Sequence, residues 1–137
     1  MLSRKLKALL LAPVLVLLMA AGPVLVDPAP MVVPQGLSDE AVEKAIRTGV
    51  AQRGWVVSRQ QPGDMEATLH LRSHVARIGI KYDAMLIQIR YLDSQNLDYE
   101  VKKGVPHIHR NYLKWINNIV QDINVQLQAA TVDLERS

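Results

Sequence analysis

The stretch Glu66–Tyr91, EATLHLRSHVARIGIKYDAMLIQIRY, decides the fold. From Glu66 to His74, Ala67, Leu69 and Leu71 fall on one side and Thr68, His70, Arg72 and His74 on the other, the period of a strand with one buried face. Ile78, Ile80 and Tyr82 alternate with Arg77, Gly79 and Lys81, and after a turn at Asp83-Ala84 the pattern repeats at Met85, Ile87, Ile89 and Tyr91. Three antiparallel strands are implied by this stretch alone.

Upstream, Trp55 to Gln60 supplies a further strand, joined to the first by Gln61-Pro62-Gly63-Asp64. Pro and Gly at the two central positions specify a type II turn. Before it, Ser38 is an N-cap with Asp39 and Glu40 in the first turn, where carboxylates favour the helix dipole. Ala41, Val42, Ala45, Ile46, Gly49 and Val50 recur at helical spacing, Leu37 is placed to staple against Val42, and Gly54 stops the helix.

Downstream, Asp93-Ser94-Gln95-Asn96 reads as a polar breaker, and Leu97–Val101 as a short fifth strand at the sheet edge. Ile108, Tyr112, Trp115, Ile116, Ile119, Ile123 and Leu127 mark one face of a second helix from about His107 to Ala130. Two amphipathic helices and a sheet with one apolar face pack as α+β: an antiparallel sheet of four or five strands, both helices on one face, order αββββα. The domain is expected over residues 37–131, with a frayed tail at 132–137.

The N-terminal segment fixes the address. Arg4, Lys5 and Lys7 precede the uncharged run Ala8–Val26, so residues 1–26 read as a signal peptide or signal anchor that directs the downstream domain out of the cytoplasm. Small residues for cleavage lie at Ala20-Ala21-Gly22, beside Pro23. Residues 27–36, with Pro28, Pro30, Pro34 and Gly36, read as an extended tether. The domain is then periplasmic or secreted after cleavage, or held at the inner membrane through an uncleaved segment.

Of the 16 basic residues three lie in the leader, leaving as many as the 13 acidic ones. A neutral domain has no general attraction for phosphates, which argues against a nucleic-acid partner. The chain has no cysteine, which removes disulfides, thiolate chemistry and N-terminal lipidation through a thioether.

Catalytic signatures are sparse. His70 and His74, on one strand, would lie ~13 Å apart at about 3.3 Å per residue, too far for one metal ion. His107 and His109 at a helix start point apart. Ser58, Ser73 and Ser94 lack a nucleophile elbow, and turn chemistry explains Asp83 and Asp93. No metal or cofactor is expected. The densest group of amphipathic side chains lies in Tyr91–Tyr99 and Ile108–Trp115, and Tyr91, Ser94, Asn96, His109, Asn111 and Tyr112 are the candidate ligand-binding residues.

Gly54-Trp55, Pro62-Gly63, Glu66-Ala67, His74, Ile80-Lys81-Tyr82-Asp83, Ile89-Arg90-Tyr91, Asp93-Ser94, Asn96-Leu97, Ile108-His109, Asn111-Tyr112 and Trp115 occur in that order over nearly all of the folded part. In these residues the chain resembles a family of small bacterial exported proteins, many of them lipoproteins. The resemblance implies an envelope location and a single α+β domain, with no activity attached; unlike the lipoprotein members, this chain has no cysteine near Ala20-Ala21-Gly22. The expected function is non-catalytic binding of a protein or envelope component. A small His/Asp-dependent hydrolase or metal-binding protein is the first alternative, and a domain self-associating through an edge strand the second.

Overall fold

A computed structural model describes residues 21–137; residues 1–20, the greater part of the expected signal peptide or signal anchor, lie outside them. The elements in chain order are β1 (Met31–Val32), α1 (Asp39–Ala51), β2 (Val56–Gln61), β3 (Asp64–Leu71), β4 (His74–Tyr82), β5 (Leu86–Gln95), β6 (Glu100–Lys102), β7 (Val105–His107) and α2 (Arg110–Arg136). The architecture is α+β, with a five-stranded antiparallel sheet in the order β1-β5-β4-β3-β2 and a separate two-stranded sheet of β6 and β7.

Cross-strand rows hold the sheet together. Met65 faces Ile80, which faces Ile89; Ala67 faces Ile78, which faces Tyr91. These side chains join Val42, Ile46 and Val50 of α1 and Tyr112, Ile116, Ile119, Ile123 and Leu127 of α2 in one buried cluster, so both helices cover the same face. The opposite face is charged: Arg59 and Arg77 both contact Glu66, and Arg77 pairs with Asp93 at 2.6 Å. The Pro62-Gly63 turn has Gly63 at φ 74°, as a type II turn requires. Ser38 caps α1 by accepting the Ala41 N–H.

Four boundaries depart from expectation. β3 ends at Leu71 and His74 opens β4 opposite it, because Arg72 at φ 57° turns the chain. Asp93–Gln95 continue β5 instead of breaking it: Asp93 lies opposite Arg77, and the register shift between that pair and Ile78–Tyr91 leaves Leu92 as a bulge. Leu97–Val101 is not a fifth strand of the main sheet; Leu97 is buried and Glu100–Lys102 pairs with β7. The helix runs through Arg136 where a frayed tail was expected over 132–137, its last turns lining a groove against Leu37, Ala41 and Ala45 of α1.

The largest correction concerns residues 22–36. Gly22–Val26, expected in the leader, and Asp27–Gly36, expected as tether, form a strap laid on the domain. Val24 bridges His107, Leu25 N–H donates to the Pro106 carbonyl, and Ile108 N–H donates to that of Pro23. Further along, Met31 pairs with Ile87 and Val32 with Leu86, and Met31 and Val33 are buried. Prolines suit such an edge segment, since they cannot donate to a ladder but hold the chain extended.

The helices meet where α1 lacks a side chain. A Cβ on Gly49 would lie 2.5 Å from Ile123 Cγ1 and 2.9 Å from the Ile123 nitrogen. Alanine is intrinsically better than glycine in a helix by about 1 kcal/mol, yet overpacking costs about 1–3 kcal/mol, so we expect Gly49→Ala to lower stability in urea denaturation. For the strap, Met31→Ala should cost about 2–5 kcal/mol, the range for a buried large side chain. A free tether would lose nothing measurable in the same assay.

Candidate functional site

At one end of the sheet β4 begins, β5 finishes and α2 starts. Asn96 leaves β5 at φ 55°, a left-handed conformation that asparagine tolerates. Its amide donates to Ser73 Oγ at 2.6 Å, and its carbonyl lies 2.5 Å from His74 Nδ1. A carbonyl only accepts, so Nδ1 of His74 carries the proton. Leu97, buried, accepts the His109 N–H at 2.8 Å. His109 then caps α2, its Nδ1 accepting the Asn111 N–H at 3.0 Å, which places that ring's proton on Nε2 in the neutral form.

Three tyrosines pack beside this corner. Tyr91 stacks on Tyr99 with centroids 5.0 Å apart and meets Tyr112 edge-on at 5.5 Å, both favourable aromatic geometries. The Tyr91 hydroxyl and Ser94 Oγ are 2.7 Å apart. Its backbone N–H, on the edge of β5, donates to Asp27 of the strap at 2.9 Å. Burial pushes the Tyr112 phenol well above the ordinary tyrosine range, and the nearby Asp27 carboxylate adds to the rise. Tyr91 is also raised by burial, with Ser94 acting in the opposite direction.

The six residues singled out from sequence are therefore neighbours with structural work. Tyr91, Ser94 and Tyr112 form an aromatic wedge, Asn96 makes a turn, and His109 caps α2 onto Asn111. The histidines and the carboxylates Asp83 and Asp93 make separate contacts. His107 Nδ1 lies 2.7 Å from the Gly22 carbonyl, and His70 is exposed on β3 while His74 is on β4. Asp83 accepts the Met85 and Leu86 N–H groups, which hold its carboxyl below the usual range. Asp93 is paired with Arg77 at the other end of β5. Among the described residues no group of three or more histidine, aspartate or glutamate side chains could hold a metal ion.

A smaller cleft lies one turn further along α2. Of about 220 Å³, it is lined by Arg53, Trp55, Leu69, Leu71, Trp115 and Asn118, so both tryptophans of the chain meet there. Gly54 at φ 84° turns the chain out of α1, and the Trp55 N–H bonds back to the Val50 carbonyl at 3.1 Å. These constraints carry the Trp55 ring inward until it is 2% exposed. Its Nε1 is buried with no hydrogen-bond partner, which ordinarily costs about 1–3 kcal/mol. Trp115 forms the outer wall, 6.2 Å from the His74 ring, and Arg53 is held at the rim by Asp122 at 2.7 Å.

Chemically, the cleft offers apolar walls with an arginine and an amide among its lining residues, while the Trp55 Nε1 is itself closed off from solvent. Such a site holds an apolar group and orients it through a polar edge. Sequence reasoning singled out Trp115 within its cluster but read Trp55 only as the opening of a strand; the Gly54-Trp55 pair was the signal, since a helix-ending glycine sends the next ring toward the core. Comparison with known protein families, with characterised proteins and with solved structures finds no match for this chain.

Tyr82, Tyr91 and Tyr112 all have phenols raised in the folded state, with burial the leading cause for each. A raised pKa contributes stability below the unfolded value of about 10, and that stability is lost as pH rises through the folded value. We expect alkaline unfolding to coincide with phenolate absorbance. Tyr112→Phe, which removes the most strongly shifted group, should move the alkaline midpoint to higher pH.

Proposed function

We propose that the chain is an exported envelope domain that binds a protein or cell-envelope component through the Trp55–Trp115 cleft and performs no catalysis. The basic n-region and apolar run of the leader support export, as does the resemblance to exported bacterial proteins. The observation that carries the binding reading is the cleft itself, a concavity walled by both tryptophans and lined also by Arg53 and Asn118. Three of the four histidines have Nδ1 engaged with backbone, and Asp83 and Asp93 serve a turn and an ion pair, which favours binding over the hydrolase reading.

The ligand class that fits is an apolar side chain or acyl-like group presented by a larger molecule. The volume admits only a small moiety, while Leu71 and Trp115 leave the mouth open to solvent. Self-association through the main sheet receives little support from its free edge, β2. That edge carries a register shift between Val57 and Arg59, and bulges and charges oppose strand addition.

Fractionation of cells expressing the full chain, followed by crosslinking from a photoreactive residue at Leu71, tests both parts. We expect envelope localisation and a discrete crosslinked species that disappears with Trp115→Ala. The same species from a probe at Val125, exposed on α2, would sink the cleft as the binding site, and a cytoplasmic chain would sink export.

A further inference from the structure

We infer that the outer face of the β6–β7 hairpin, together with the strap paired to it, rests on a phospholipid bilayer surface; this deepens the proposal of export and rests on its membrane-directed leader. The register carries the argument. Val24 bridges His107, and His107 faces Glu100. Continued by one pair of residues, the same register sets Val26 beside Val105, which faces Lys102. Directly opposed residues share a face, so Val24, His107 and Glu100 lie on one side of a three-strand patch, with Val26, Val105 and Lys102 two residues further along on the same side.

On the other side Ile108 is buried and Leu25 packs against the core cluster, while Val101 at the hairpin is 57% exposed. The outer side is apolar without cover: Val24 is 44%, Val26 67% and Val105 40% exposed. Valines have no polar tip to justify such exposure in three neighbouring positions, and exposed apolar clusters rimmed by polar residues mark interaction surfaces. Lys102 and Lys103 at the turn supply that rim, with Glu100 3.4 Å from Lys102. Lysines flanking an apolar face suit a phospholipid interface, where stems lie along the acyl boundary and ammonium groups reach phosphates.

Position along the chain selects the occupant. The domain begins at Gly22, whose carbonyl meets His107 Nδ1 at 2.7 Å. A Cβ there would lie 2.5 Å from the Ile108 carbonyl oxygen, so the residue is held closely against the backbone. The uncharged run Ala8–Val26 passes through this anchored point without a break, and its last residues, Gly22–Val26, are those of the strap. A chain whose leader enters a bilayer therefore brings the valine face to the lipid headgroups, with no spacer to hold it away.

The chain has no cysteine, so a single introduced thiol reports one position. Full-length Val105→Cys and Val125→Cys, each carrying an environment-sensitive fluorophore, would be reconstituted in vesicles of phosphatidylethanolamine and phosphatidylglycerol. We expect blue-shifted emission and loss of aqueous quenching at position 105 alone, with the protection abolished by Val24→Asp/Val26→Asp while thermal melting is retained. A chain that floats with the vesicles yet leaves both labels equally wet overturns the lipid surface and spares the leader reading. Protection in native envelopes but not in pure lipid makes the occupant a protein and also overturns it. A chain that fails to float overturns the surface and the membrane-directed reading together.

Discussion

The structure depends on covering the single apolar face of a twisted sheet with two helices that touch at Gly49 and Ile123. Neither helix is wide enough to cover Met65, Ala67, Ile78, Ile80, Ile87 and Ile89 alone, all of them buried. The missing side chain at Gly49 lets α2 come down beside α1, so that Tyr112, Ile116, Ile119, Ile123 and Leu127 all reach the core. That approach also sets the position of the first turns of α2 over the end of β3. Trp115 and Asn118 thereby stand opposite Trp55, Leu69 and Leu71, and the cleft is a consequence of the helix crossing. The Arg53–Asp122 pair sits beside the same crossing and ties the end of α1 to α2, although it is a surface pair that salt screens.

A second constraint comes from the sheet's edge. β5 presents unpaired backbone groups on its outer side, and an open edge of that length invites pairing with other chains. The strap covers it with few contacts: two ladder pairs at Met31 and Val32, then a proline-bearing run, then the Asp27 carboxylate taking the Tyr91 N–H where a strand carbonyl would otherwise stand. The same segment pins the β6–β7 hairpin through Pro23 and Leu25. The edge cover, the hairpin and the tyrosine wedge are thus one unit, tied together by residues that precede the first helix.

Features whose causes are local were legible in the sequence. The Ser38 cap, the Pro62-Gly63 turn, the alternation through β3, β4 and β5 and the apolar stripe of α2 each depend on residues within a turn or two of one another. The strap was not legible, because a proline-rich segment carries the same signature whether free or docked, and only Ile87, Tyr91 and Pro106 decide between them. Asp93–Gln95 misled for a related reason. Their polarity reads as a breaker until Arg77 supplies a partner across the sheet, and tertiary pairing then overrides propensity. Of the candidate site, the gathering of Tyr91, Ser94, Asn96, His109, Asn111 and Tyr112 was visible, but the partners were not, since they are the Leu97 carbonyl and the side chains of Ser73 and Asp27. The cleft required Trp55 and Trp115, sixty residues apart in sequence, to be brought together by the crossing.

The open sheet face argues for the same end of the molecule as the place of recognition. Across β2 to β5 the chain Arg59–Glu66–Arg77–Asp93 alternates in sign, and its charges satisfy one another. Arg90 lies over Gly79, where a Cβ would meet its Nε at 2.9 Å, so the guanidinium stem occupies space that a packed partner would need. A face built this way is stable in water, with four of its charges paired across neighbouring strands. The groove between α1 and the last turns of α2 is larger, about 360 Å³, but its apolar lining is alanine and leucine, and none of its lining residues carries a buried polar atom left without a partner. The first turns of α2 differ in kind. They adjoin the cleft walled by both tryptophans on one side and, through His109 and Leu97, the segment leading into the β6–β7 hairpin on the other. The cleft and the exposed valines of the hairpin and strap therefore belong to a single end of the domain.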